Sequence, residues 1–165
     1  MSLHPLTIKR LNGDLKKFSK MKPEYFRIYP NPKNMLEINF LLIGRPDTPF
    51  EGGEYIGMIK HHPEYPKKAP DYYFYTPNGR FHLGKKICLS NSSYHNKNWA
   101  PAAWNLVTIL EGLSSIWHST NYIDINGVGH LKSPTSLIKK YAQESIGFNN
   151  EKYSILVNLI INKIK

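Results

Sequence analysis

Four extended segments joined by short turns are the feature of this sequence that most restricts its fold. The segments span residues 24–30, 35–45, 53–61 and 71–76. In the second segment apolar side chains alternate with more polar ones, at Leu36, Ile38, Phe40 and Leu42. Such alternation is typical of a strand with one buried face. The connections carry Pro, Gly, Asn or Asp, which favour turns. Consecutive strands with short connections predict an antiparallel meander.

Helical periodicity is found on both sides of the predicted meander. Residues 3–20 carry apolar side chains spaced three and four residues apart, at Ile8, Leu11, Leu15 and Phe18. This spacing indicates an amphipathic helix. A second, buried helix is indicated further along the chain by Leu106, Ile109, Leu110, Leu113 and Trp117.

Two more helices are predicted near the C-terminus. Ser133 followed by Pro134 predicts a helix start, with serine as N-cap and proline at the first helical position. The last helix, which Asn149 or Asn150 is expected to cap, has an apolar stripe at Tyr153, Leu156, Val157, Ile160, Ile161 and Ile164. The order of helix, four strands, long loop and three helices indicates the α+β class. No repeat or second domain is evident, so residues 1–165 are expected to form one domain.

The charge balance narrows the choice of partner. The formal net charge is +10, which favours acidic partners such as nucleic acid, an anionic membrane surface or an acidic protein face. Because the basic residues are scattered and form no binding motif, nucleic acid is not expected as a partner. A single cysteine excludes an intrachain disulfide framework and favours a reducing compartment. No signal peptide and no apolar stretch of about 18 residues is evident, so the chain as given is expected to be soluble.

Residues 76–103 show no clear periodicity and hold the single cysteine, Cys88. A loop of this length inside a compact domain is usually functional. A lone cysteine is most often a buried structural thiol. However, Lys85 and Lys86 precede Cys88 and polar residues follow it, and nearby positive charge favours the nucleophilic thiolate. Spacing alone leaves both interpretations open.

Asn78 and His95 are the side chains of this loop that could assist a thiol. Asn78 belongs to an Asn–Gly pair, which is common in turns, yet its amide could donate to an oxyanion. His95 follows Cys88 by seven residues and could act as a base. It could equally be a loop histidine with one hydrogen bond, the more frequent case. His61 and His62 lack further metal ligands at suitable spacing, and no phosphate-binding glycine loop is present, so no metal or cofactor is expected.

Ordered motifs between residues 5 and 164 resemble those of ubiquitin-conjugating enzymes. "PFEGG" and "YPKKAP" are similar to two motifs of the family's strand-loop-strand core, and "TPN" corresponds to its H-P-N tripeptide. "ICLS" is similar to the signature around the family's cysteine, and "WAPAAWNLVTILEGL" to the segment that follows it. The resemblance implies an N-terminal helix, a four-stranded antiparallel meander, an active-site loop and three C-terminal helices.

Two departures from the usual family pattern resemble its J-type class. Thr76 replaces the histidine of H-P-N, and Cys88 follows Asn78 by ten residues, a longer gap than usual. "CLSNSSYHNKNW" also resembles this class. Its members are held on the cytosolic face of the endoplasmic reticulum by a C-terminal hydrophobic tail and act in the degradation of misfolded proteins. The resemblance implies this location, with a tail that the 165 residues do not include.

The resemblance also implies roles for the loop residues. Cys88 would accept ubiquitin as a thioester from the activating enzyme, which uses the ATP, so that no cofactor is bound here. Asn78 would stabilise the oxyanion or hold the loop that does so. Ser90 stands where many relatives carry an acid, and Asp124 is the acid offered after the next helix. Transfer to Ser or Thr hydroxyls therefore stays open beside transfer to Lys, with His95 as the candidate base.

Partner surfaces follow from the same resemblance. The first helix is expected to meet the acidic face of the activating enzyme through Lys9, Arg10, Lys16 and Lys17. The loop expected to contact a RING-type ligase holds Trp99, Ala100, Pro101 and Ala102. Lys67 replaces a common Phe in the other contact loop, which removes an apolar anchor and favours a different choice of ligase. Ubiquitin and protein substrates complete the expected partners.

Two other functions are compatible with the same fold. One is a catalytically inactive variant that presents ubiquitin to other proteins, and Cys88 argues against it because such variants usually lack the cysteine. The other is conjugation of a different ubiquitin-like protein, which the sequence alone separates poorly from conjugation of ubiquitin.

Overall fold

A four-stranded antiparallel sheet is the centre of the fold. The computed structural model describes residues 2–89, 91–118 and 127–162. Its strands are β1 (Phe26–Pro30), β2 (Glu37–Ile43), β3 (Glu54–Lys60) and β4 (Asp71–Phe74). They pair antiparallel in the order β1-β2-β3-β4. The meander predicted from the alternation and the turns is therefore confirmed.

Gly57 lets two aromatic rings meet at the middle of the sheet. It pairs with Phe40 of β2 on one side and with Phe74 of β4 on the other. A β-carbon at this position would lie 2.3 Å from the Phe40 ring and 2.5 Å from the carbonyl oxygen of Tyr73. Because glycine leaves this space open, the Phe40 and Phe74 rings pack edge to face with centroids 5.5 Å apart.

Helices cover both faces of the sheet. They are α1 (Pro5–Met21), α2 (Leu106–His118), α3 (Thr135–Lys152) and α4 (Ser154–Asn162). Helix α1 begins after His4, whose ring nitrogen accepts a hydrogen bond from the N–H of Leu6 at 3.1 Å. The predicted N-terminal helix and the three predicted C-terminal helices are therefore present. Within the described ranges, no helix combines the length and the apolarity needed to cross a membrane.

The predicted cap of α3 is wrong by one residue. Pro134, not Ser133, is the N-cap, because its backbone is extended (φ −64°, ψ 150°). The carbonyl of Pro134 accepts the N–H groups of Leu137 and Ile138, which closes the first turn. The helix therefore starts at Thr135, and proline stands just before the first helical position rather than in it.

The predicted asparagine cap of the last helix is also wrong. Asn149 and Asn150 lie near the end of α3, which continues to Lys152, whereas α4 begins at Ser154. The carbonyl of Asn149 accepts the N–H of Tyr153 where the chain passes from one helix to the next. The side chain of Asn149 is buried and reaches the sheet, a tertiary contact that periodicity does not reveal.

The main core lies between the sheet and α2 and reaches the loop of residues 76–103. Trp117 of α2 is fully buried and stacks on Phe74, with ring centroids 4.8 Å apart. Phe81, just beyond the Asn–Gly turn, stacks on the same Phe74 ring at 5.2 Å. Truncating an aromatic side chain in such a core costs about 3–5 kcal/mol, so the start of the loop is firmly held. A second cluster on the opposite face of the sheet contains Leu41, Ile56, Val157 and Ile160.

Candidate active site

Cys88 lies between two buried anchors. Ile87 and Leu89 belong to the core, whereas Cys88 is partly exposed and carries a free thiol. The N–H of Ile87 donates to the carbonyl of Tyr72 at 3.1 Å, and that of Cys88 to the carbonyl of Val128 at 2.8 Å. The cysteine is therefore not a fully buried core thiol. A thiol that reaches solvent on a fixed main chain can act as a nucleophile.

The imidazole of His95 contacts this thiol. Its Nε2 lies 3.1 Å from Sγ of Cys88. His95 belongs to a 3₁₀ segment, Ser93–Asn98, whose helical backbone is interrupted at His95 itself (φ −130°, ψ 47°). An imidazole within hydrogen-bond distance of a thiol can exchange a proton with it, so the pair can serve as nucleophile and base.

Polar contacts hold the segment that carries His95. The N–H of His95 donates to the carbonyl of Ser92 at 2.9 Å. The hydroxyl of Ser92 donates to the carbonyl of Leu89 at 2.8 Å and accepts the N–H of the same residue at 3.0 Å. The hydroxyl of Ser93 donates to the carboxylate of Asp71 at the start of β4. These bonds tie the segment both to the neighbour of Cys88 and to the sheet, so the fold sets the distance between ring and thiol.

Asn78 organises the turn that precedes the cysteine. Its side chain is buried, with 1% of its surface exposed. Oδ1 accepts the N–H groups of Arg80 and Phe81, both at 2.7 Å, and Nδ2 donates to the carbonyl of Thr76 at 2.9 Å. Gly79 in this turn has φ 82°, which glycine adopts without strain. This geometry agrees with the loop-holding alternative for Asn78, and a direct role at the oxyanion stays a prediction.

Thr76 stands where the resemblance expects histidine, and it bonds to α3. Its hydroxyl donates to Oδ1 of Asn149 at 2.6 Å and accepts the N–H of Ile56 at 2.9 Å. Nδ2 of Asn149 then donates to the carbonyl of Glu54 at 2.8 Å. One buried hydroxyl therefore links the turn, strand β3 and helix α3 with its donor and an acceptor site both used.

His130 is a buried residue beside Cys88 that sequence reasoning missed. Its Nε2 lies 2.7 Å from the carbonyl oxygen of Cys88, and its Nδ1 lies 3.1 Å from the guanidinium NH1 of Arg80. The residue belongs to a stretch without periodicity between α2 and α3. No motif or spacing in that stretch indicated a position next to the cysteine.

Burial favours the neutral form of two titratable side chains, Tyr72 beside the loop and His61 at the end of β3. Burial raises the pKa of Tyr72 well above its ordinary value, so its hydroxyl keeps its proton and donates to the carbonyl of Asn91 at 3.1 Å. Burial lowers the pKa of His61 to about 4, only partly opposed by a hydrogen bond to the backbone of Leu36.

Among the described residues no group of three metal-ligating side chains occurs. Ser90 and Asp124, which the resemblance places at the family's acidic positions, lie outside the described residues.

The basic residues of α1 fall into two groups. Arg10 is engaged inside the protein: its Nε lies 3.0 Å from a carboxylate oxygen of Asp14, and its NH2 group donates to the carbonyls of Pro101, at 2.9 Å, and of Trp104. This guanidinium ties α1 to the loop before α2, so a structural role is observed and partner contact stays a prediction. The exposed group consists of Lys9, Lys16, Lys17 and Lys20.

Trp99 is a buried residue that lies beneath the predicted ligase surface and joins its two loops. It is buried, and its Nε1 donates to the carbonyl of Pro66 at 2.7 Å. Its ring stacks on Trp104 with centroids 6.3 Å apart. The bond joins the loop of Trp99 to that of Lys67, in which the Tyr65–Pro66 peptide is cis. The exposed residues of the two loops include Lys67, Ala100 and Ala102, with Pro101 half-buried.

Comparison with known proteins points to one family. A family model described as ubiquitin-conjugating enzyme matches residues 10–128. The chain is 38% identical over 142 residues to ubiquitin-conjugating enzyme E2 6 of Debaryomyces hansenii, covering 86% of this chain and 57% of that protein. It is 36% identical over 159 residues to the protein of the same name from Schizosaccharomyces pombe, covering 88% and 68%. It is 39% identical over 116 residues to a ubiquitin-conjugating enzyme E2 J2-like protein of Dictyostelium discoideum, covering 68% of each.

The fold and the site define an α+β protein with a partly exposed thiol on an anchored loop. Together with the match over residues 10–128, they show that this chain belongs to the ubiquitin-conjugating enzyme family. The matches cover 57% of the Debaryomyces relative and 68% of the other two.

Proposed function

We propose that this chain is the catalytic part of a ubiquitin-conjugating enzyme and carries ubiquitin on Cys88. The Cys88 thiolate attacks the carbonyl carbon of the thioester between the C-terminal glycine of ubiquitin and a cysteine of the activating enzyme. A new C–S bond forms to Cys88, the old C–S bond breaks, and the activating enzyme's cysteine leaves as the thiolate. The observation that carries the proposal is the partly exposed Sγ of Cys88, 3.1 Å from Nε2 of His95.

The acceptors in the proposal include Ser and Thr hydroxyls beside Lys. In discharge the acceptor attacks the thioester carbonyl, Cys88 leaves as the thiolate, and the acceptor loses a proton. A hydroxyl needs a base for this step, within about 3 Å of the proton that it gives up. Nε2 of His95 lies next to the sulfur that would carry the acyl group. An acceptor hydroxyl that approaches the acyl carbon therefore comes near this nitrogen.

The proposal places the protein in the J-type class, at the cytosolic face of the endoplasmic reticulum, in the degradation of misfolded proteins. Two features support the class: Thr76 in place of histidine and a relative whose name includes "J2-like". Attachment to the membrane would come from a hydrophobic tail outside these 165 residues. The location follows the class, so it depends on the class assignment.

The proposed partners are the activating enzyme, ubiquitin, a RING-type ligase and protein substrates. The exposed lysines of α1 carry the positive charge that an acidic face of the activating enzyme would attract. Lys67, Ala100 and Ala102 form the exposed part of the proposed ligase surface. Because this surface has a lysine where an apolar anchor is common, we expect a ligase that does not depend on that anchor.

A loading assay tests the proposal. The chain is incubated with ubiquitin, ubiquitin-activating enzyme and ATP and resolved on a gel with and without reducing agent. We expect an ATP-dependent adduct that the reducing agent removes and that Cys88→Ala abolishes. Cys88→Ser should give an adduct that resists reduction, because an oxygen ester replaces the thioester.

Two outcomes would contradict the proposal. If the same reagents load a known conjugating enzyme and leave this chain unloaded, the fold serves as an inactive module that presents ubiquitin. An adduct that forms with a different ubiquitin-like protein and its activating enzyme, and never with ubiquitin, would assign Cys88 to that other modifier.

A further inference from the structure

His130 lies between the turn of Asn78 and the main chain of Cys88. Its side chain is buried, with 8% of its surface exposed. Nε2 is 2.7 Å from the carbonyl oxygen of Cys88, and Nδ1 is 3.1 Å from NH1 of Arg80, which is itself buried. Arg80 follows directly on the Asn78 turn and donates its own N–H to Asn78. The imidazole therefore connects the two parts of the loop through its two nitrogens.

The two contacts determine which nitrogen of His130 carries the proton. The carbonyl of Cys88 can only accept a hydrogen bond, so Nε2 must donate. The guanidinium of Arg80 can only donate, so Nδ1 must accept. Both bonds form together only when the imidazole is neutral and protonated on Nε2. Arg80 thus selects the tautomer that makes His130 a donor toward Cys88.

The segment that carries His130 holds the main chain of Cys88 on both sides. The N–H of Cys88 donates to the carbonyl of Val128 at 2.8 Å, and its carbonyl accepts from His130. Between these two residues, Gly129 has φ 84°, and a β-carbon there would lie 2.9 Å from the side chain of Ile87. The close approach that allows both hydrogen bonds therefore depends on glycine at this position.

We propose that His130 is a positioning residue for the transfer reaction. Its hydrogen bond orients the carbonyl of Cys88 and thereby the direction from which Sγ meets the thioester carbon. The inference rests on the proposed function, since it concerns the same thiol. Reacting atoms must be aligned at about 3–3.5 Å, and a misplacement of about 1 Å can lower a rate by about 10²-fold. When the donor is removed, the peptide after Cys88 loses this restraint, and the alignment of Sγ becomes less well defined.

Two substitutions separate the hydrogen bonds of His130 from its bulk. His130→Leu introduces an apolar side chain of comparable length and removes both hydrogen bonds. His130→Gln supplies an amide, whose oxygen can accept from Arg80 and whose nitrogen can donate to the carbonyl of Cys88. In single-turnover loading over a series of activating-enzyme concentrations, we expect the leucine variant to load about 10- to 100-fold more slowly at saturation, with KM for that enzyme unchanged. The glutamine variant should load within about threefold of wild type, because its donor and acceptor replace those of the ring.

Alkylation of Cys88 by iodoacetamide is the matched control. A small reagent needs no defined direction of approach, so both variants should react at close to the wild-type rate. Urea unfolding of each variant gives the folded fraction under the assay conditions. A positioning role predicts slow loading of the leucine variant while that fraction stays near one.

The inference is overturned if His130→Leu loads at the wild-type rate, if His130→Gln is as slow as His130→Leu, or if slow loading matches the unfolded fraction. A ¹⁵N spectrum with the proton of His130 on Nδ1 would also overturn it. A wild-type chain that forms no thioester contradicts the proposed function, and the inference falls with it. A wild-type chain that loads, beside a leucine variant that loads equally well, contradicts the inference alone.

Discussion

The hydroxyl of Thr76 donates a hydrogen bond to Oδ1 of Asn149 at 2.6 Å, joining residues 73 positions apart in the sequence. The same hydroxyl accepts the N–H of Ile56, and all three groups are buried. Thr76→Val keeps the shape and removes both bonds, so it leaves a buried N–H and a buried amide oxygen without this partner. We expect the free energy of unfolding to fall by about 1–3 kcal/mol. Urea unfolding of the two proteins measures the difference.

Thr76→Ser is the control for this change. It keeps the hydroxyl and removes one methyl group, so its loss of stability should be the smaller of the two. If the valine variant is as stable as wild type, or less destabilised than the serine variant, the bonds of Thr76 contribute nothing to the link between the turn and α3.

The contact between His95 and Cys88 predicts a selective loss of transfer to hydroxyls. In His95→Ala the base is missing, so discharge of the loaded thioester to free serine or threonine should fall by about 10²-fold or more. Because His95 is exposed, the free energy of unfolding should stay within about 0.5 kcal/mol of wild type. Chasing the preloaded thioester with serine, threonine and lysine in parallel gives the three rates.

Lys97→Ala is the matched control, because it truncates another exposed residue of the same 3₁₀ segment. It should discharge to all three acceptors at close to the wild-type rate. Equal rates for His95→Ala and Lys97→Ala with serine would remove His95 from the role of base. Discharge of the wild type to lysine alone would remove hydroxyls from the acceptors.

The elements that sequence reasoning located are those defined by neighbours along the chain. The alternation from Leu36 to Leu42 and the turn residues on either side need no distant partner to be informative, and strand β2 lies there. The same is true of the 3-and-4 spacing that marks α1. The predicted cap at Ser133 used local chemistry too, and it missed by a single residue because Pro134 is extended.

The features that sequence reasoning missed depend on residues far apart in the chain. The sequence pattern groups Arg10 with the lysines of α1, yet Arg10 bonds to the carbonyl of Trp104, 94 residues away. Asp14, four residues further along the helix, distinguishes Arg10 from Lys9 as a candidate ion pair. Nothing near Arg10 in the sequence indicates its bonds to the loop before α2. Likewise, the seven residues between Cys88 and His95 are compatible with many distances. The 3.1 Å distance between Sγ of Cys88 and Nε2 of His95 is evident only from the structure. There the 3₁₀ segment is interrupted at His95 and is bonded to Asp71 of β4 through Ser93.

The contacts of Arg10 predict that it matters for stability more than its neighbours do. Arg10→Ala removes the ion pair with the largely buried Asp14 and two bonds to backbone carbonyls. We expect the free energy of unfolding to fall by about 2–3 kcal/mol, since hydrogen bonds of charged groups are the stronger ones. Lys17→Ala, which changes an exposed residue of the same helix, should stay within about 0.5 kcal/mol of wild type. Chemical unfolding that shows equal losses for both variants would contradict this assignment.

The exposed lysines of α1 predict a salt-dependent association with the activating enzyme. The double substitution Lys16→Glu and Lys17→Glu reverses two charges, so kcat/KM for loading should fall by about tenfold or more at low salt, mainly through KM. Near 1 M salt, where the screening length is about 3 Å, the difference should largely disappear. The matched control reverses the exposed pair of α3, Lys139→Glu and Lys140→Glu. If both double variants lose loading equally, the effect reflects total charge and not the face of α1.

Burial of His61 predicts a loss of stability in mild acid. The ring is buried, its Nδ1–H donates to the carbonyl of Leu36 at 3.1 Å, and burial lowers its pKa from 6.5 to about 4. Below pH 6.5 the His61 imidazole therefore binds a proton in the unfolded chain but stays unprotonated in the folded protein, and this difference favours unfolding. The loss begins as the pH falls through 6.5, grows by up to about 1.4 kcal/mol per pH unit, and is complete near the folded pKa of about 4.

His61→Gln removes this titration and supplies an amide that can still donate a hydrogen bond to the carbonyl of Leu36. Between about pH 7.5 and about pH 5, wild type should lose about 2 kcal/mol more stability than this variant. Urea unfolding at both pH values gives the two differences, in which the titration of all other groups cancels. His82→Gln, a change of an exposed histidine, should keep the pH dependence of wild type. If His61→Gln and wild type lose the same stability over this range, the buried ring is not the group that couples folding to pH.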